Sequence, residues 1–189
     1  MSSSVEDAHI IAATQQWLEK AVIGLGLCPF AKAVHVKKQI RYVVSAATTT
    51  EALQLDLQRE LQLLMQTPAD QIETTLLMHP GVLNDFLDYN DFLAEADDLL
   101  VELDVQDEIQ IASFHPLYQF AGTEPDDIDN YTNRSPYPML HLLREASVTQ
   151  AVDAFPDASS IFEKNIATLR RLGHTGWRAL GLAGTTKTP

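Results

Sequence analysis

The sequence predicts a small single-domain α/β sandwich with a three-stranded, mainly parallel sheet flanked by helices, to which an edge strand is the one extension the pattern admits. Three observations predict it. Strand-like and helix-like stretches alternate between residues 40 and 115, with enough chain between successive strands for helical crossovers. The 189 residues, 46% of them hydrophobic, suffice for one sizeable core. No repeat or composition break divides the chain, so residues 1–189 read as one unit with a flexible tail from about residue 178.

From Val5 to Leu25, Ile10, Thr14, Trp17, Leu18, Ala21, Val22 and Leu25 recur at three- and four-residue spacing, which gives one apolar helix face. Gly24 and Gly26 end it. Cys28 follows in L-C-P-F-A, where Pro29 pushes it out of helical backbone space. Ile40 to Ala46 has strand composition, and Thr48-x-x-Glu51 reads as a capping box for a helix to Met65 that buries Leu53, Leu57, Leu61 and Leu64. Ile72 to His79 is a second strand, apolar on both faces toward its end, and Pro80-Gly81 stops it. A helix from Val82 to Leu103 sets Leu83, Phe86, Leu87, Leu93 and Leu100 against Asp85, Asp88, Asp91, Glu95, Asp98 and Glu102. Carboxylates on one exposed face diverge and lack the closing ligands of a hard cation, so that stripe reads as solvated.

Glu108 to His115 is the third strand, and Pro116 stops it as Pro80 stops the second. Met139, Leu142, Leu143 and Ala146 then predict a helix beginning near Pro136 or Pro138, with a short helical piece from Ser147 to Ala154. Ser160-x-x-Glu163 caps a last helix that Gly173 ends, and the tail after Trp177 frays.

Charge excludes some functions. A net charge of -13 disfavours nucleic acid and anionic membranes, both of which need a basic footprint. No apolar run approaches a membrane span, and Glu6 and Asp7 stand where a signal peptide would be basic, so a cytoplasmic protein is expected. The single cysteine rules out an internal disulfide and a Cys-rich zinc site. Glu60 to Asn133 holds seventeen acidic residues and no Lys or Arg, which makes Arg134 the first cation after Arg59.

The stretch from Phe114 to Glu145 carries the densest polar chemistry, and long connections of this kind are usually functional. Ligands in open parallel sheets gather at the carboxyl ends of the strands. Two strands there end in His79-Pro80 and His115-Pro116. The expected site uses Cys28 and His115 as reacting groups, a thiol beside an imidazole being the minimal nucleophilic pair. Arg134, with Asn133, Ser135, Tyr137, His141 and Arg144, would bind a small anionic metabolite, helped by free N–H groups at the helix start. Two other readings stand beside it. One is a noncatalytic ligand-binding or protein-interaction module in which these side chains are mutually satisfied. The other is a metal centre drawing on Cys28, His79, His115 and His141, although no two are spaced as a local ligand pair. Cofactor and oligomeric state are open at this level.

L-C-P-F-A (27–31), F-H-P-L-Y-Q-F (114–120) and N-Y-T-N-R-S-P-Y-P-M-L-H-L-L-R-E (130–145) together resemble a bacterial family catalogued as domain of unknown function 1415. The resemblance runs from the first helix to the last and implies a single-domain protein. It carries no assigned activity and therefore no residue roles. His79 lies outside the three segments.

Overall fold

Four short runs of strand composition assemble into one mixed sheet. In the computed structural model, which describes residues 2–154 and 160–183, these are β1 (Ile40–Val44), β2 (Thr74–Met78), β3 (Ile109–Phe114) and β4 (Met139–Arg144), in the order β1-β2-β4-β3. β1 and β2 pair in parallel, whereas β4 runs antiparallel to both of its neighbours. β3 consequently points the same way as β1 and β2 without bonding to either.

That arrangement corrects the expectation of a mainly parallel sheet with an edge extension. The fourth strand is interior, and it is made from residues expected to form a helix. M-L-H-L-L-R is six residues long, too short for its apolar positions to separate a period of 2 from one of 3.6. Tertiary demand decides. β2 is buried along its whole length, so its backbone needs ladder partners on both sides, and β4 supplies one of the two.

The helices follow from local signals with shifted ends. α1 (Ser2–Trp17) continues into a π-helix, Leu18–Ile23. An unexpected short helix, α2 (Ala31–Val36), follows Pro29. α3 (Thr50–Gln66) is capped by Thr49, whose hydroxyl accepts from the Ala52 N–H, one residue beyond the expected box. α4 (Phe86–Glu102) starts later than expected because Asp85 is its cap, accepting from the N–H groups of Leu87 and Asp88. α5 (Glu145–Asp153) leads directly out of β4, and α6 is Ile161–Ala179. Gly173 breaks α6 at φ 63° without ending it. Between Trp177 and Ala183 the chain has anchors: Leu182 is buried, the Lys20 ammonium donates to the Leu180 carbonyl, and the Ala183 N–H donates to Gln16. Residues 184–189 of the expected tail lie outside the described residues.

Alternation along the strands gives each sheet face its own apolar cluster. Leu77, Leu140 and Leu142 pack with Leu53, Leu57 and Leu61 of α3 and with Phe92 and Leu99 of α4. On the other face Leu76, Met78 and Met139 meet Trp17, Leu18 and Val22 of the first helical segment and Leu169 and Trp177 of α6.

Tyr89 of α4 joins β3 to β4. Its fully buried hydroxyl donates to the Met139 carbonyl at 2.8 Å and accepts from the Phe114 N–H at 3.0 Å. Replacing it with phenylalanine keeps the ring and orphans two backbone groups. Tyr89→Phe should lower unfolding stability by about 1–3 kcal/mol in a urea titration, and a loss under about 0.5 kcal/mol would show the bridge to be energetically idle.

Candidate functional site

Because β1, β2 and β3 point one way, their carboxyl ends and the start of β4 share one edge, where the sequence-predicted site was expected. Its groups are engaged with the fold. The His115 Nε2–H donates to the Leu83 carbonyl at 3.0 Å, and Nδ1 accepts from the Leu117 N–H at 3.0 Å. A neutral ring bonded at both nitrogens has no lone pair left to take a proton. Burial is also the main cause that lowers its pKa. The contact is structural in effect, since Leu83 adopts φ 59°, a backbone conformation costing a residue with a side chain about 1–2 kcal/mol. His79 donates from Nδ1 to the neighbouring Val82 carbonyl at 3.0 Å. Its Nε2 is buried with no partner among the described residues. Both imidazoles lie against the Tyr89 ring, with centroids 5.8 and 5.0 Å away.

The expected anion donors are similarly committed. Arg134 donates to the carbonyls of Tyr118 and Pro125 and lies over the Tyr131 ring at 4.4 Å. Asn133 donates to the Ser113 carbonyl, and Ser135 to the Tyr137 carbonyl. Tyr137 packs against the second apolar cluster. No helix begins near Pro136 or Pro138, so the expected N–H groups are absent there. An open depression of about 540 Å³ does lie beyond β1 and β2, lined by Thr48–Thr50, Val82–Asn84 and Phe92. Glu51, Asp88, Asp91 and Glu95 complete its lining, a field that repels an anionic metabolite.

The larger concavity, about 660 Å³, lies over the other half of the sheet. Its floor is the face that presents Ile40, Thr74, Leu143 and Gln110 in one row and Leu76, His141 and Ala112 in the next. These rows lie toward the amino ends of β1, β2 and β3. Trp17, Leu18 and Val22 form one wall, and the turn at Cys28 with α2 forms another. Ser147, Val148 and Ala151 of α5 border the remainder. Neither α2 nor α5 has a fully buried residue, because the surface beneath them is a void. A concavity of this size falls within the range of small-molecule sites.

Three of the predicted residues, Cys28, His141 and Arg144, therefore border one cavity, without the expected partners His115 and Arg134. Burial raises the Cys28 pKa, opposed by hydrogen bonds from the backbone at Phe30 and Ala31, which keeps the group a thiol at neutral pH. His141 bonds through Nε2 to the Thr74 hydroxyl at 2.7 Å, and burial pushes its pKa down to about 4. Arg144 also borders the cavity, but its guanidinium caps α3 by donating to the carbonyls of Leu64 and Thr67 and to that of Ile72. The convergence of Cys28, His79, His115 and His141 that the alternative metal reading needs is not found: among the described residues no three His, Cys, Asp or Glu side chains form a ligand group.

Sequence reasoning missed Trp17, Thr74, Ala112 and the inner face of α5 as site residues. One signal was available. Ser147, Ala151 and Ala154 recur at four- and three-residue spacing, so α5 turns small side chains toward the sheet and leaves the space unfilled.

Fold and site together define a mixed α/β protein with a predominantly apolar cavity between its sheet and two short helices. The family model described as protein of unknown function, DUF1415, matches residues 9–179, and the chain belongs to that family. No curated protein and no solved structure gives a match. Among the described residues no helix is long and apolar enough to cross a membrane.

The histidines make stability depend on pH. An unperturbed imidazole titrates near 6.5, and burial pushes those of His79 and His141 down to about 4. Between these values the unfolded chain binds more protons than the folded one, so stability falls as pH falls. Urea titrations between pH 7 and 5 should lose about 1 kcal/mol per ring per pH unit, with a shallower slope in His141→Phe. A flat profile would mean that the fold does not keep these rings neutral.

Proposed function

We propose that the protein binds a small, largely apolar molecule in the cavity under α2 and α5, with His141 and Cys28 as the polar groups that meet it. The observation that carries this reading is the cavity itself. Its size lies within the range of small-molecule sites, and its walls combine apolar side chains with a few polar ones. An anionic metabolite at the carboxyl ends of the strands has less support, because Arg134 and Ser135 are engaged within their own loop, Asn133 bonds to β3, and the nearby depression is acidic.

N-phenyl-1-naphthylamine, an uncharged dye that brightens in apolar surroundings, tests the proposal. Saturable binding with one dye per chain is expected, and Ala112→Trp, which projects an indole into the cavity, should weaken it at least tenfold while the thermal melt stays cooperative. Unsaturable binding, or equal binding by the variant, would refute it.

A second reading, thiol catalysis in the same cavity, rests on the position of Cys28 in its lining. It separates from simple binding by reactivity. A thiol whose pKa is raised by burial should react with N-ethylmaleimide at pH 7 more slowly in the folded protein than in the urea-unfolded chain. Faster labelling of the folded protein would favour catalysis.

A further inference from the structure

We infer that the cavity selects an uncharged molecule that presents a hydrogen-bond donor to Nδ1 of His141, the rest of its body being apolar. This rests on the binding reading above and adds the chemistry of the contact.

Proton counting at Thr74 assigns the ring. The threonine hydroxyl has one proton and lies 2.6 Å from the Leu142 carbonyl oxygen, which has none to give, so that proton is on the line between them. The same hydroxyl oxygen is 2.7 Å from Nε2 of His141. Nε2 must supply the proton of this second bond. A neutral imidazole protonated at Nε2 carries a lone pair at Nδ1, and no donor among the described residues meets it. The side chain is partly buried and lines the cavity, and desolvation keeps it from taking a second proton at neutral pH.

That lone pair discriminates between ligands. A carboxylate or phosphate brings only acceptors and leaves Nδ1 unmet while burying a charge. Lys37 and Glu73, of opposite sign, both border the cavity, and the charge of Arg144 is already committed to backbone carbonyls, so none of these favours one sign of ligand strongly. A quaternary ammonium brings no donor to Nδ1, and a protonated amine brings one only by burying its charge among mostly apolar walls. A hydroxyl, phenol or amide N–H satisfies Nδ1 without bringing charge, and Leu76, Ala112 and Leu143 beside it fit an apolar body.

Three naphthalenes of similar shape test this by calorimetric titration: 1-naphthol (a donor), 1-methoxynaphthalene (no donor) and 1-naphthoate (an anion). Naphthol should bind about tenfold more tightly than its methyl ether, the worth of one hydrogen bond that the ether cannot make, with naphthoate weakest. His141→Phe should erase that preference and retain the ether. Equal affinity of naphthol and its ether overturns the inference and leaves the binding reading intact, whereas failure of all three to bind overturns both. Ring 15N spectra of the wild-type protein provide a second check should the variant not fold. They should report an Nε2–H tautomer at His141 and a shift of Nδ1 on adding naphthol, and an Nδ1–H tautomer would also overturn the inference.

Discussion

The antiparallel insertion of Met139–Arg144 between β2 and β3 is the constraint on which the rest of the structure depends. Three strands that point one way are held in one sheet because a fourth, running against them, bonds to two of them. Residues 115–138 must therefore bring the chain back from the end of β3 to the start of β4 on the same edge, and their backbone groups need partners on the way. Asn130 supplies several: its side-chain oxygen accepts from the Phe120 N–H and the Thr123 hydroxyl, and its side-chain NH2 donates to the Glu124 carbonyl. Arg134 ties two more carbonyls of the loop together. The polar wealth of this stretch is the means by which an irregular return path is kept satisfied, and Tyr89 closes it by bonding to β3 and β4 where they leave the sheet.

The same insertion creates the cavity. As a strand, residues 139–143 alternate, so Met139, His141 and Leu143 share a face while Leu140 and Leu142 take the other. Met139 is covered by α6 and the first helical segment. His141 and Leu143 lie farther along, where only short helices pass over the sheet and where α5 presents small side chains. A partly buried imidazole then faces a space instead of a packed neighbour. Thr74, aligned beside Leu143 on β2, orients the ring through the one proton it cannot share twice.

Three histidines illustrate how one residue type takes different roles by position. His79 and His115 hold successive carbonyls of the turn after β2, and one of them secures a left-handed leucine. His141 is anchored by a side chain from the adjacent strand and keeps a free acceptor toward the cavity. Burial disfavours protonation of all three.

Sequence alone determined the local elements whose signals lie within a few residues: the strands around Tyr42, Leu76 and Ile111, the leucine face of α3, the acidic exposed side of α4, the first helix and the family resemblance carried by the segments at 27–31, 114–120 and 130–145. It placed Cys28 just past a helix end, where it stands. Only the tertiary structure decided that 139–144 is a strand, that it lies inside the sheet, and that His141 meets Cys28's cavity while His115 serves the fold. The reason is physical: six residues of mixed apolar pattern fit either backbone period, and the choice is made by the unpaired side of β2, which is distant in the chain and adjacent only after folding.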